Sequence, residues 1–310
     1  MVETLKRNWL LIIILLVGAF MRLYKIDAYM TFLGDEGRDV IIVRNLLVNA
    51  DPILIGPGTS VGSMYLGPLY YYFMAPFLFL SNFSPVGPAI AVALLGVATI
   101  YLVFTVGKDW LGEKAGLIAA ALFAISPTVI IYSHSSWNPN IMPFFALLSI
   151  YSIWRVWKLK QYKWLIITAI SFAFVLQSHY LGVLLLPILI LYWFLTFKNC
   201  KLNGNWKLEI GNYLQKSFIA LLIFASLMSP LLIFDIRHNF LNSKALYSFL
   251  TVNKESVSLK PLTIISKTYP IFEQVNTSLL TAKSESAGKV ISLLMVTMVI
   301  WLIVKKNHNS

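Results

Sequence analysis

The chain has 310 residues, of which 58% are apolar and 12% charged, and its formal net charge is +12. So little polar surface cannot cover a soluble globule; the bilayer must be the solvent, and a helical bundle follows because unpaired backbone is too costly in lipid. The cations do not mark a nucleic-acid-binding face, since Lys and Arg fall in short clusters between apolar runs.

In chain order, apolar runs predict spans near 8–24, 86–107, 115–133, 141–157, 163–178, 180–197, 217–235 and 289–304. Each approaches the roughly 20 residues needed to cross about 30 Å of hydrocarbon, and Trp and Tyr often mark the ends. The first run follows Lys6 and Arg7, and Val17-Gly18-Ala19 could be read as a cleavage site. We read it as a span, because the rest of the chain is membrane-embedded as well. With a cytoplasmic N-terminus, the inside connections hold Lys6/Arg7, Lys108/Lys114, Arg155/Lys158/Lys160/Lys163, Lys198/Lys201/Lys207/Lys216 and Lys305/Lys306. These are fourteen of the 25 cations, in keeping with the positive-inside bias.

Leu66–Phe83 (LGPLYYYFMAPFLFLSNF) is apolar enough for a ninth span, but counting it would invert every later helix and put the basic clusters outside. It is therefore expected to be a re-entrant or interfacial helix on the outer face, with Tyr65, Tyr70, Tyr71 and Tyr72 as an aromatic belt or a sugar-stacking surface. Two outer regions, 25–85 and 236–288, are long enough to hold structure. In the first, Asp35–Ala50 places Val40, Val43, Leu47 and Ala50 on one face, as in an amphipathic helix lying on the membrane. The second reads as a mixed loop with short helices. Ile125-Ser126-Pro127 before His134 and Met228-Ser229-Pro230 before His238 echo one another too briefly to make a repeat, so residues 1–310 form a single domain. The lone Cys200 has no internal disulfide partner, and no zinc or redox spacing is present.

Polar residues that a bundle does not require gather near the outer helix ends: Asp35, Glu36, Asp39, His134, Asn138, Asn140, Gln177, His179, Asp235, Arg237 and His238. Asp35-Glu36 reads either as first-turn acids satisfying free N–H groups or as a carboxylate base with a structural or metal-directed neighbour. Arg237-His238 suits an anion, an Arg fork matching phosphate in two places; a salt bridge from Arg237 to Asp235 is the plainer reading. His134 and His179 are interfacial hydrogen-bonding groups or donors to phosphate and sugar oxygens.

The order of several short motifs resembles the GT-C fold glycosyltransferases that use polyprenyl- or dolichyl-phosphate sugars, the group of the protein O-mannosyltransferases and the aminoarabinose transferases of lipid A. The matching pieces begin with Gly34-Asp35-Glu36-Gly37 and Gly67-Pro68-Leu69-Tyr70-Tyr71-Tyr72. Leu111-Gly112-Glu113-Lys114-Ala115-Gly116 leads into Ser126-Pro127 and Tyr132-Ser133, then Trp137-Asn138-Pro139-Asn140, and His179-Tyr180-Leu181-Gly182 before Leu186-Pro187. The resemblance covers about residues 8–200 and, more loosely, Ser229 to Phe249. It implies an all-α, GT-C-like integral membrane bundle of about eight helices with outer-face juxtamembrane helices, including the Pro-Leu-Tyr-Tyr segment.

The resemblance also implies that Asp35 is the general base with Glu36 beside it. Relatives often carry an Asp where this chain has Asn140, an Arg near the position of His134 and a Lys near that of His179. Asn140 in place of a carboxylate weakens the case for a divalent cation, which stays possible. The expected activity is inverting transfer of a hexose or pentose from a polyprenyl-phosphate donor to a hydroxyl of a glycan, lipid or protein. Arg237, His238, His179, His134, Asn140 and Tyr70 are the expected donor-phosphate and substrate contacts. The expected location is a prokaryotic cytoplasmic membrane with the site on its outer face. A transporter or flippase of lipid-linked sugars is the first rival, though such proteins place polar sites near the midplane, often in repeated halves. A non-catalytic membrane subunit is the second.

Overall fold

The computed structural model describes residues 8–60, 64–200, 206–251 and 261–308. Every predicted span falls on helix. The helices are α1 (Trp9–Leu23), α2 (Ile26–Tyr29), α3 (Gly34–Asn49), α4 (Leu69–Leu80), α5 (Val86–Leu111), α6 (Glu113–Ile125) and α7 (Pro127–Ser133). They continue with α8 (Met142–Leu159), α9 (Trp164–Ser178), α10 (Leu186–Cys200), α11 (Trp206–Arg237), α12 (Leu241–Thr251), α13 (Pro261–Leu280) and α14 (Glu285–His308). Short 3-10 turns at Asn138–Ile141 and Tyr180–Leu185 lead into α8 and α10. Among the described residues the only β pairing is two isolated bridges.

Among the described residues, three helical runs are long and apolar enough to cross a membrane: Val86–Leu111, Tyr180–Cys200 and Lys207–Arg237. Two bent pairs reach that length together, α6 with α7 (61°) and the end of α13 with α14 (115°). The remaining predicted spans, on α1, α8 and α9, are shorter or more polar. The 12 residues of α4 make a rod of about 18 Å, short of the hydrocarbon thickness.

Local chemistry explains the breaks. Pro127 has no N–H to give the Phe123 carbonyl, and extended Ser126 (φ −61°, ψ 117°) carries the next amide out of line, so α6 stops and α7 starts at an angle. Arg22, fully buried on α1, takes up the freed groups: its Nη1 donates to Ala124 O (2.9 Å) and Gly18 O (3.1 Å), its Nη2 to Phe123 O (3.2 Å). Both terminal nitrogens of the buried cation are thereby paired with carbonyls, two of these at a helix C-terminus, the end the backbone dipole makes negative, while its Nε has no partner among the described residues. Helices α5 and α6 approach so closely that a Cβ at Gly116 would lie 2.6 Å from Phe104 O.

The core falls into several clusters, of which two are the largest. One joins α8, α9, α10 and α11 around Ile153, Phe172, Val175 and Tyr213, with Ser149–Ser171 and Ser152–Thr168 hydroxyl pairs (2.8 Å each) tying α8 to α9. The other packs α3 and α4 on α5, around Val43, Tyr70, Tyr71, Met74 and Leu78. Two expectations change here. The apolar face of α3 is covered by α4, with Val40, Val43 and Leu47 in the shared core. Tyr70 and Tyr71 are buried rather than belt residues. Region 236–288 is also more regular than a mixed loop, since the 20-residue α13 folds back on α14.

Candidate active site

The loop before α3 and the loop after α7 are joined at one end of the bundle. Thr31 N–H donates to His134 O (3.2 Å), and Thr31 bridges to Ser135 in parallel register. Glu36, in the first turn of α3, seals the junction: Oε2 accepts the Leu33 N–H (3.0 Å) and Oε1 accepts the Ser135 hydroxyl (2.7 Å). Both of its oxygens are engaged and the side chain is buried, so Glu36 is a helix-capping brace between loops.

Asp35, one position earlier, points elsewhere. Its carboxylate is half exposed and pairs with Arg38 Nη1 at 2.8 Å. Arg38 also donates from Nε (3.0 Å) and Nη2 (2.7 Å) to Oδ1 of Asp39, which accepts the Tyr71 hydroxyl as well (3.0 Å). Asp39 is fully buried, and its Oδ2 has no partner among the described residues. Burial pushes its acid up to about 6, against the pull of Arg38 and Tyr71 toward ionisation. The Tyr71 hydroxyl is raised too, first by burial and then by the charge of Asp39.

Two cavities meet at Asp35. A polar one of about 340 Å³ is lined by Asp35, Arg38, Trp137, Asn138, His179 and the loop residues 57–60. A second, about 480 Å³ and more apolar, is lined by Thr31, Asp35, Glu36, Tyr132, Ser135 and Trp137. Among the described residues, Asp35 and Trp137 alone line both. In the polar cavity, His179 Nδ1 accepts the Leu181 N–H (3.2 Å), which leaves the proton of the neutral ring on Nε2. Burial lowers the pKa of His179. Asn138 donates to Ser178 O (2.6 Å) and so joins the two loops.

The other expected contacts lie outside these cavities. Tyr70 is 1% exposed and bonded to Ser136 Oγ (2.8 Å), which leaves no ring face for a sugar. Asn140 braces the loop through Ser135 O (3.0 Å). His134 turns toward the Met21 and Arg22 carbonyls at the end of α1; burial lowers its pKa, and Nε2 is buried without a hydrogen-bond partner. Gln177 is a strut, accepting from Leu69 N–H (3.2 Å) and donating to Leu227 O (2.9 Å). Gly67 is what admits it, because a Cβ there would fall 2.1 Å from Gln177 Oε1. Asp235 does not pair with Arg237; it caps α12 through the Asn242 N–H (2.7 Å) and the Ser243 hydroxyl (2.5 Å). Arg237 and His238 stand exposed on the last turn of α11 and just beyond it, His238 stacked on Phe234 at 4.0 Å.

Sequence reading missed Arg38 and Trp137. Arg38 was legible as an i+3 partner of Asp35 in GDEGRD, and Trp137 opens the run Trp137-Asn138-Pro139-Asn140. Among the described residues no three His, Cys, Asp or Glu side chains converge on one point. With both Glu36 oxygens engaged and Asp35 on Arg38, the donor set does not fit a resident divalent cation.

The family of dolichyl-phosphate-mannose-protein mannosyltransferases matches residues 66–229, more than half of the chain. The chain belongs to this family. It is accordingly an integral membrane protein, with the fold of the GT-C membrane glycosyltransferases. Its structure is similar to that of ArnT from Cupriavidus metallidurans bound to undecaprenyl phosphate (TM-score 0.54, 14% identity, covering 78% of this chain and 44% of that one). It is also similar to the archaeal oligosaccharyltransferase AglB from Archaeoglobus fulgidus in complex with an inhibitory peptide and a dolichol-phosphate (TM-score 0.52, 17% identity, covering 94% and 39%). The chain thus spans about two fifths of the length of these solved structures. No curated protein matches it.

Proposed function

We propose that the chain transfers a sugar, with inversion, from a polyprenyl- or dolichyl-phosphate donor to an acceptor hydroxyl on the outer face of the membrane. The observation that carries this is the position of Asp35, whose carboxylate lines both cavities and so can touch two substrates at once. The donor phosphate suits the polar cavity, where Arg38 and the Nε2–H of His179 supply the positive charge and the donors that a leaving phosphate needs. The acceptor enters from the second cavity. Asp35 takes the hydroxyl proton, the oxygen attacks the anomeric carbon, and the bond to phosphate breaks on the opposite side. Arg38 moves its Nη1 from Asp35 to the phosphate as the donor binds, which frees the base when it is needed.

The basic clusters support the outer-face placement: Lys108, Arg155, Lys158 and Lys198 sit at the helix ends opposite the site. The family description makes mannose the first sugar, and a protein hydroxyl the first acceptor, to try. In proteoliposomes given radiolabelled dolichyl-phosphate-mannose and a Ser/Thr-rich peptide, the wild type should label the peptide and Asp35→Asn should not. Transfer retained by the Asn variant would sink the assignment of the base. Movement of label across the bilayer with no product would make the chain a transporter.

A further inference from the structure

Trp137 is held in an unusual way. Its neighbours Ser135, Ser136 and Asn138 are all buried, at 5%, 4% and 4%, whereas Trp137 itself is 36% exposed. The backbone around it is fixed from several sides. Ser136 Oγ pairs with the buried Tyr70 hydroxyl (2.8 Å), Asn138 donates to Ser178 O (2.6 Å), Asn140 N–H donates to Trp137 O (2.9 Å), and Asn140 Nδ2 donates to Ser135 O (3.0 Å). Ser135 is in turn bonded to Glu36, next to Asp35. The indole at the centre of this clamp has neither a hydrogen-bond partner nor a ring contact among the described residues. It stands between the two cavities, and among the described residues only Asp35 shares that position.

An aromatic ring whose backbone is over-determined, which is partly exposed to two cavities and meets no other ring among the described residues, is prepared for something outside the protein. A lipid-facing anchor would need no such clamp and would not line a polar cavity beside a carboxylate and an arginine. The group that must cross between the phosphate pocket and the acceptor pocket is the transferred sugar, and a pyranose offers an apolar C–H face suited to an indole.

From this placement, and resting on the donor reading above, we infer that Trp137 is the platform for the donor's sugar ring, holding the anomeric carbon over the junction at Asp35. The indole contributes through its faces; its N–H is free for a ring hydroxyl.

The test compares two lipids, dolichyl-phosphate-mannose and sugar-free dolichyl phosphate, binding to the purified full chain in detergent by native mass spectrometry. Wild type is expected to prefer the glycosylated lipid. Trp137→Ala should weaken dolichyl-phosphate-mannose about five- to tenfold, the range of one aromatic contact, while dolichyl phosphate binds as before. Trp137→Phe should keep most of the preference and Trp137→Leu should lose it, a contrast that stands even if the Ala variant folds poorly. Equal weakening of both lipids, or of neither, in the Ala and Leu variants overturns the platform, the second outcome being that of a membrane-belt residue. Failure of wild type to bind either lipid overturns the donor reading, and the platform with it.

Discussion

The two ends of the bundle treat their carboxylates in opposite ways. At the basic end, Asp109 accepts the Tyr151 hydroxyl at 2.5 Å, and Arg155 steadies that tyrosine while lying 4.3 Å from the centre of the Trp164 ring. Glu209 there is closed by the Tyr162 hydroxyl (2.7 Å) and by Lys160 (2.8 Å). At the other end Glu36 is closed in the same manner and Asp39 is buried, with Oδ1 bonded to Arg38 and Tyr71 and Oδ2 unpartnered among the described residues, but Asp35 is left half exposed between two cavities with Arg38 as its ion-pair partner. The lesson is that polar groups in a membrane bundle are common and mostly structural. On the proposed reading, what singles out a working one is access to substrate space: Asp35 is half exposed and lines both cavities, whereas Glu36 and Asp39 are buried.

The largest expected effect separates the ends directly. Asp35→Asn should cut transfer by about a thousandfold, within the range of a lost general base, and leave the melting temperature nearly unchanged. Asp109→Asn should do the reverse, lowering stability by about 1 kcal/mol while transfer persists. If the Asp109 variant loses transfer and the Asp35 variant keeps it, the contrast between the ends is wrong.

The next effect is one of pH. Because burial lifts Asp39 from 3.8 to about 6, the folded chain holds that proton more tightly than the unfolded chain. The associated stability is complete below about pH 3.8 and is lost as pH rises through 6, a span worth at most about 3 kcal/mol. Melting curves between about pH 4 and 7 should show wild type declining relative to Asp39→Asn, which has no charge to desolvate. Parallel curves would mean that Asp39 is already solvated.

Arg38→Ala should raise the donor KM about tenfold or more, the scale of one charge-assisted contact to phosphate, with a smaller change in KM for the acceptor. An increase confined to the acceptor would exchange the roles of the two cavities. The smallest change is expected for Arg237→Ala, less than about threefold in either KM, since Arg237 lines neither cavity. A large effect there would restore the phosphate role that the sequence suggested for Arg237 and His238.

The class of fold was legible because apolar run length and charge placement are one-dimensional properties, written in order along the chain. Asp35, His179 and Asn138 were legible as polar residues at helix ends, and each does line the polar cavity. Tyr70 was misread because a tyrosine near a proline looks interfacial until α3 and α5 are seen to enclose it. Glu36 and Asp235 looked chemical, yet both accept amides at helix starts, a role that depends on where the helix begins. Arg38 and Trp137 were missed for a related reason, since what matters in each is the direction of the side chain relative to two cavities that form only when distant loops meet.

Arg22 carries a consequence for biogenesis. Its guanidinium reaches carbonyls 101 and 102 residues further along the chain, at Phe123 and Ala124. When α1 first enters the membrane those acceptors have not been synthesised, and an Arg in a lone helix costs up to about 3 kcal/mol at mid-membrane, less near a helix end. The first helix is therefore a reluctant inserter until the proline-bent pair of α6 and α7 arrives to claim its charge, so the break that shapes the site loop also makes the order of synthesis part of the fold.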